Sequence, residues 1–245
     1  MLQTLTLTFD LRIRPNQIYD FRGAFIFLAA GSGITDEDVS WIANEKYEKG
    51  NWGQSLSQYP RVQYRIRDGY AQIWAINEGR KSIEKLIKRK ALEQFTIQDV
   101  SYPLQVTETE KETFTIQSSD EDQTYLLFHY VPHEDGNDKE YHTQDTMVDK
   151  VRLLERLITN GILKSMESLE IVQPEDYKPS LSIIDIISKD KAVYKTKDKN
   201  NRKPIVKHPL SYFIKFKCNL ILPEGFAIGH HKSLGYGAMY RIENS

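Results

Sequence analysis

The sequence predicts an α+β fold: two tandem ferredoxin-like domains, residues 1–120 and 121–245, closed by a C-terminal glycine-rich loop. Three observations carry that prediction. Apolar and polar residues alternate at the start of the chain with the two-residue period of a half-buried strand, and this pattern gives way repeatedly to the three-to-four spacing of helices. The elements run β-α-α-β-β-α-β(β) and then β-α-β(β)-β-β, an order that two split βαβ units accommodate. Four glycines, Gly225, Gly229, Gly235 and Gly237, fall within thirteen positions after the last long strand pattern.

In order along the chain, Leu5, Leu7, Phe9, Leu11 and Ile13 share one face and Thr4, Thr6, Thr8, Asp10 and Arg12 the other. That is a strand with one buried face, and Pro15 ends it. Residues 17–30 read as a helix, with Ile18, Phe21, Phe25 and Leu28 on its inner stripe. Thr35-Asp36-Glu37-Asp38 opens a second helix in the manner of a capping box. That helix is expected to run to about Glu48, with Gly50 as its stop. Lys46 and Lys49 would then complement the helix C-terminus, and Tyr47 would pack on the core. Residues 50–60 read as a polar loop containing Trp52 and Gly53. Val62, Tyr64 and Ile66 form a strand, Asp68-Gly69 is a strong hairpin signal, and residues 70–76 return. A helix over 79–94 points Ile83, Leu86, Ile87 and Leu92 inward, and two short strands fill 96–118.

The second half repeats this alphabet. Residues 124–131 are strand-like and 132–144 are a polar loop. A long helix over 145–169 carries Val151, Leu154, Ile158, Ile162 and Met166 on one stripe. Gly161 inside it costs about 1 kcal/mol of helix propensity, so a close approach is expected there. Residues 181–188 and 210–222 are strands. In the latter, Leu210, Tyr212, Ile214, Phe216, Cys218 and Leu220 point one way, and Phe213, Lys215 and Lys217 the other. An aromatic beside two lysines suits single-stranded nucleic acid, through base stacking and phosphate charge.

Composition narrows the class. Hydrophobic residues are 40% and charged residues 27% of the 245, as in globular rather than disordered chains. The net charge of −1 hides an asymmetry. Residues 151–245 carry 16 Lys and Arg against 10 Asp and Glu, whereas residues 1–150 carry 17 against 24. A basic second half suggests a polyanionic partner. Between Lys189 and Lys207 eight basic residues, among them Lys195, Lys197, Lys199, Arg202, Lys203 and Lys207, stand against two acidic ones. That stretch reads as a basic hairpin or loop. Cys218 is the sole cysteine, which excludes an internal disulfide and a cysteine-based metal site. No signal peptide and no membrane-spanning run are read, so a cytoplasmic location is expected.

The glycine segment holds the chemistry. Glycine lets the backbone turn through positive φ and approach a partner closely, and successive N–H groups in such a loop form a nest for anions. Lys232 adds a positive charge and Ser233 a hydroxyl donor. A nucleotide P-loop is excluded, because Gly229 is separated from Lys232 by His230 and His231, and too little chain follows for a βαβ unit. His230 and His231 are candidates for phosphate contact or proton transfer. His129 is expected to be a core or sheet-surface residue. His133 and His142 lie in an acidic loop, but their spacing matches no standard metal pattern, so neither metal nor cofactor is called.

The loop Gly225-…-Gly229-…-Leu234-Gly235-Tyr236-Gly237 after a long strand resembles the signature of the RAMP superfamily of CRISPR-associated proteins. Tyr59-Pro60-Arg61-Val62-Gln63-Tyr64-Arg65 followed by Ile76-Asn77-Glu78-Gly79 is similar to the N-terminal half of one subgroup of its repeat-RNA endoribonucleases, which process precursor crRNA. The resemblance implies two RRM-like domains with RNA bound across them. It also implies metal-free cleavage, in which the 2′-hydroxyl attacks the adjacent phosphate and leaves a 2′,3′-cyclic phosphate. Such a reaction needs a base, an acid and a cation for the developing charge. Related members carry a histidine just before the Tyr-Pro segment, whereas residues 1–128 here contain none. Lys46, Tyr47 and Lys49 stand in that region instead, with His230 and His231 as helpers from the loop. Gly225, Gly229, Lys232, Ser233, Gly235 and Gly237, the basic run, Lys215 and Lys217 form the expected RNA surface. The implied partners are CRISPR repeat RNA or crRNA and a CRISPR effector complex, for a monomer or homodimer off the membrane. Two rival functions share the fold: an RNA-holding subunit that cuts weakly or not at all, and a backbone subunit of an effector.

Overall fold

The computed structural model describes residues 1–101, 103–132, 141, 143–171, 179–192, 194–197 and 204–242, with 194–197 and 204–207 described in backbone only. The chain divides into two compact units. One is Met1–Phe114 with Ser233–Gly235, and the other is Thr115–Lys232 with Tyr236–Ser245.

In the first unit the elements are β1 (Leu2–Arg12), α1 (Ile18–Gly31), α2 (Asp36–Ala43), β2 (Glu45–Glu48), β3 (Asn51–Ser55), β4 (Val62–Arg67), β5 (Tyr70–Ile76), α3 (Glu78–Lys88), β6 (Thr96–Ile97), β7 (Val100–Ser101) and β8 (Val106–Phe114). The main sheet has the order β4-β5-β1-β8 and is antiparallel throughout. With β1, β4, β5 and β8 taken as successive strands, this is the ferredoxin-like arrangement. The alternation read from the sequence decides the core: Leu5, Leu7 and Phe9 of β1 are buried against Phe21 and Phe25 of α1. The Phe9, Phe21, Phe25, Tyr64 and Phe95 rings meet at centroid separations from 5.8 to 6.5 Å. Each fully buried side chain of this size contributes roughly 1.5–3 kcal/mol, so these rings are a substantial part of the unit's core.

Two polar joints fix the helices. Thr35 caps α2 by accepting from the Asp38 N–H. The Asp38 carboxylate, buried, accepts from Ser82 at 2.8 Å and from Lys85 at 2.9 Å, both on α3. Burial pushes the Asp38 carboxyl up, but the bonds from Lys85, Thr35 and Ser82 outweigh it and hold the group below its ordinary value. The second joint explains why Tyr59–Arg65 and Ile76–Gly79 belong together. The Ile76 N–H donates to the Arg61 carbonyl at 2.9 Å, and Arg61 pairs with Glu78 at 3.0 Å. A Cβ on Gly79 would overlap the Arg61 carbonyl oxygen. The glycine therefore lets α3 start directly against β4.

The sequence reading needs correction at the second helix. It ends at Ala43, not near Glu48, because Asn44 takes the left-handed conformation (φ 57°) and terminates it. Residues 45–55 form a β-hairpin instead of a helix end and a polar loop. Lys49 and Gly50, both at positive φ, make its turn. The stretch 96–118 likewise holds a two-residue hairpin, β6–β7, and then the nine-residue β8 along β1.

The second unit contains β9 (Gln117–Tyr130), α4 (Met147–Ser168), β10 (Leu181–Lys191), β11 (Tyr194–Lys197), β12 (Pro204–Lys207), β13 (Leu210–Ile221) and β14 (Ala238–Ile242). Its sheet order, β10-β13-β9-β14, repeats that of the first unit. Tyr212, Ile214, Phe216, Cys218 and Leu220 of β13 are buried, as the alternation predicts. The second crossover helix of a ferredoxin-like unit is replaced here by residues 222–237. Phe226, Ala227 and Ile228 within that stretch are fully buried and supply the apolar face a helix would have given. Ile228 lies over Gly161 of α4, where a Cβ would come to 3.3 Å of the Ile228 Cβ. That is the close approach expected at Gly161. Among the described residues no helix is long and apolar enough to cross a membrane.

Candidate nucleic-acid interface

The hairpin β2–β3 of the first unit places three sequence-predicted groups. Tyr47 pairs across to Trp52, and the rings lie 4.5 Å apart. Trp52 is about half exposed, at 46%. Lys46 is exposed and pairs with Glu48 at 3.2 Å, its stem lying over Gly53, where a Cβ would come to 3.2 Å of the Lys46 Cβ. Lys49 stands at the turn, exposed. Two polar contacts tie the ribbon to α2. The Tyr47 N–H donates to Ser40 Oγ at 2.8 Å and the Lys49 N–H to Asp36 Oδ2 at 2.7 Å. Arg22 reaches Glu45 at 3.0 Å. Tyr47 thus presents its hydroxyl from an aromatic pair, not from the core.

The glycine loop of the second unit is more deeply embedded. All four of its predicted glycines have positive φ. At Gly229 a Cβ would stand 2.7 Å from the Val131 carbonyl oxygen, and at Gly237 it would overlap the Ile228 carbonyl oxygen. The Gly225 N–H donates to Met239, that of Ile228 to Gly237, that of His230 to Val131 and that of Gly237 to Phe128, at 2.8 to 3.0 Å. These N–H groups, which the sequence offered as an anion nest, are used to hold the loop on β9 and β14. Lys232 opens a short 3-10 turn, Lys232–Leu234. Burial holds its amine below the ordinary lysine value. Ser233 and Gly235 are counted with the first unit, where a Cβ on Gly235 would come to 2.9 Å of the Tyr64 carbonyl oxygen.

Within the second unit the loop gathers aromatic and imidazole rings. His230 and His231 have ring centroids 6.4 Å apart. Tyr236 meets His231 edge-on at 6.2 Å and His129 edge-on at 6.2 Å. His129 is exposed at the end of β9. The sheet-surface position matches the expectation from the sequence, whereas the irregularity there arises from pairing with β13 and has no local signal. Tyr236 belongs to the loop signature read from the sequence but is not among the candidate residues named there.

The sheet carries the remaining described candidates. Phe213 stacks on Phe128 at 4.5 Å, and Phe128 meets Tyr240 at 5.5 Å. Lys215 is half-buried, opposite Leu126 on one side and Asp185 on the other, and Lys217 is exposed. Lys195, Lys197 and Lys207 lie on the antiparallel hairpin β11–β12. Lys199, Arg202 and Lys203 lie outside the described residues, as do His133 and His142. Among the described residues no three His, Cys, Asp or Glu side chains come together as a metal site would require.

Comparison with known proteins gives this geometry a context. Residues 1–115 match the family of the Cas6b N-terminal domain. No curated protein sequence matches the chain. Among solved structures, a Cas6b aligns over 99% of this chain and 100% of its own, with a TM-score of 0.71 at 18% identity. A second, the CRISPR RNA processing endoribonuclease Cas6b, aligns over 98% and 99%, with a TM-score of 0.63 at 18% identity. Csf5, a Cas6 crRNA endonuclease of type IV CRISPR-Cas, aligns over 99% and 100%, with a TM-score of 0.62 at 13% identity. At such identities these likenesses speak for the fold. With the N-terminal family match, they agree with the RAMP resemblance read from the sequence.

Proposed function

We propose that this chain is a metal-independent endoribonuclease that binds CRISPR repeat RNA and cleaves precursor crRNA. The observation that carries the proposal is the match of residues 1–115 to the Cas6b N-terminal domain in a chain whose whole length follows Cas6-type folds. The reaction is an internal transesterification. A base takes the proton of the 2′-hydroxyl, and the 2′-oxygen bonds to phosphorus. The bond from phosphorus to the 5′-oxygen breaks, and an acid protonates the departing oxygen. The products are a 2′,3′-cyclic phosphate and a 5′-hydroxyl. Imidazole serves both proton transfers because it titrates near neutrality, which makes His230 and His231 the groups of choice. Tyr47, Lys46 and Lys49 orient the hydroxyl and neutralise developing charge. Lys232, Ser233, Lys215, Lys217 and the β11–β12 hairpin bind the phosphate backbone, and Gly225, Gly229, Gly235 and Gly237 shape the surface. The protein acts in the cytoplasm on a crRNA that it passes to an effector complex.

A second function is favoured by one observation, the absence of any histidine from residues 1–128: an RNA-holding subunit without turnover. End-labelled repeat RNA from the native locus, incubated with the protein in EDTA beside substrates carrying single 2′-deoxy positions, separates the two. Cleavage abolished by one 2′-deoxy, with a cyclic phosphate on the product, is the expected result. A requirement for a divalent metal would overturn the mechanism, and tight binding without turnover would leave the holding subunit.

A further inference from the structure

Among the described residues, ten other than glycine have positive φ. All but one lie in turns, at helix ends or in the glycine loop. The exception is His129 (φ 47°), inside the bounds of β9. The pairing shows why. Tyr212 and Ile214 of β13 stand opposite Tyr130 and Leu127, so three steps along β9 answer two along β13. The strand carries a bulge, and His129 lies within it. A bulge re-aims a side chain, and here it turns an imidazole outward beside the glycine loop. The Phe128 carbonyl, one residue earlier, accepts the Gly237 N–H at 2.9 Å, which ties the bulge to the loop. Tyr236 next to that glycine meets the His129 ring edge-on at 6.2 Å and the His231 ring at the same distance. His231 is itself at positive φ, 59°. Two histidines from separate segments, each in a backbone conformation that costs such a residue of order 1–3 kcal/mol, thus flank one tyrosine. Glycine or asparagine would fill position 129 at lower cost. His129 is exposed, so packing does not call for an imidazole there, whereas a proton-transfer site has a use for one.

We propose that His129 is a further proton-transfer residue of the RNA-cleaving site, working as a pair with His231 across Tyr236 and leaving His230 to phosphate contact. The inference rests on the endoribonuclease function proposed above. In the pair, one neutral imidazole takes the 2′-hydroxyl proton as the 2′-oxygen bonds to phosphorus. The other, protonated, gives its proton to the 5′-oxygen as that bond breaks. Water then resets both charges.

The test uses the full-length chain with His129→Asn and His129→Gly, both compatible with positive φ, and the native repeat RNA. Melting temperature, RNA affinity and the single-turnover cleavage rate are measured for each. The expected result is a rate at least about 100-fold lower, the scale of a lost general acid or base. Melting temperature should not fall, and affinity should stay within about threefold. Free imidazole in the buffer should restore part of the rate to His129→Gly. Rates within about twofold of the parent overturn the proposal while leaving the endoribonuclease intact. So does a rate loss that imidazole does not relieve, or one that tracks melting temperature. A parent protein that binds the repeat but never cuts it removes both proposals together.

Discussion

The β2–β3 hairpin of the first unit and the glycine loop of the second hold candidate groups by opposite means. The hairpin is short and exposed along most of its length, fixed to α2 through Ser40 and Asp36 and to α1 through Arg22. Its aromatic pair, Tyr47 and Trp52, is built on its own strands. The loop is anchored by what it buries, Phe226, Ala227 and Ile228, and by glycines that leave no room for a Cβ. Groups on a ribbon held by a few polar contacts open locally at low cost. Groups on a packed loop are positioned before substrate arrives. A loop of this kind suits proton transfer, and a hairpin of this kind suits adaptable contact.

The largest effect is expected from the loop's backbone. Gly237→Ala places a Cβ on the Ile228 carbonyl oxygen at a φ of 71°, and should cost roughly 3 kcal/mol of stability. Denaturant unfolding checks this, and a loss below about 1 kcal/mol would show a loop that yields. Next come the side chains. His231→Ala should slow single-turnover cleavage about 100-fold, and Tyr47→Phe, which keeps the ring pair with Trp52, by a smaller factor. The reverse ranking would move the chemistry to the hairpin.

Asp38→Asn tests the joint beneath the hairpin. Losing the charged partner of Lys85 should cost about 2 kcal/mol. Because the folded carboxyl lies below its ordinary value, its stabilisation is complete above that value and disappears as pH falls through the lower, folded one. A urea midpoint for the parent that stays flat through that acid range, or that falls just as steeply in the variant, would assign the effect elsewhere. Lys232→Ala should weaken RNA binding several-fold at low salt and less at high salt, since phosphate contacts are screened. Equal loss at both would mark the lysine as structural. Lys46→Ala should change stability least, by under about 0.5 kcal/mol, because its pair with Glu48 is exposed.

Much of this architecture was legible because burial enforces period. β1, α1, α4 and β13 follow their alternating or helical stripes closely, and Gly161 announced its contact. The second helix was overread because Glu45–Glu48 is compatible with either period, and only the left-handed Asn44 decides the matter. The glycine loop was legible as a loop, but not as a substitute for a helix, since Phe226–Ile228 carries no periodic signal in three residues. Its N–H groups read as free because a sequence does not show which carbonyls will face them. His129 lies in a strand at the sheet surface, as expected, but its bulge was not legible: a bulge belongs to a pair of strands and neither strand alone displays it.

Cys218 has one more use. It is fully buried on β13, and burial raises its thiol to about 11. No other thiol competes with it in the chain. A thiol-reactive dye therefore labels the folded protein only when the second unit opens, and the labelling rate serves as a clock for that opening alone. Run with and without repeat RNA, the same clock reads how firmly the ligand clamps the unit that carries the glycine loop.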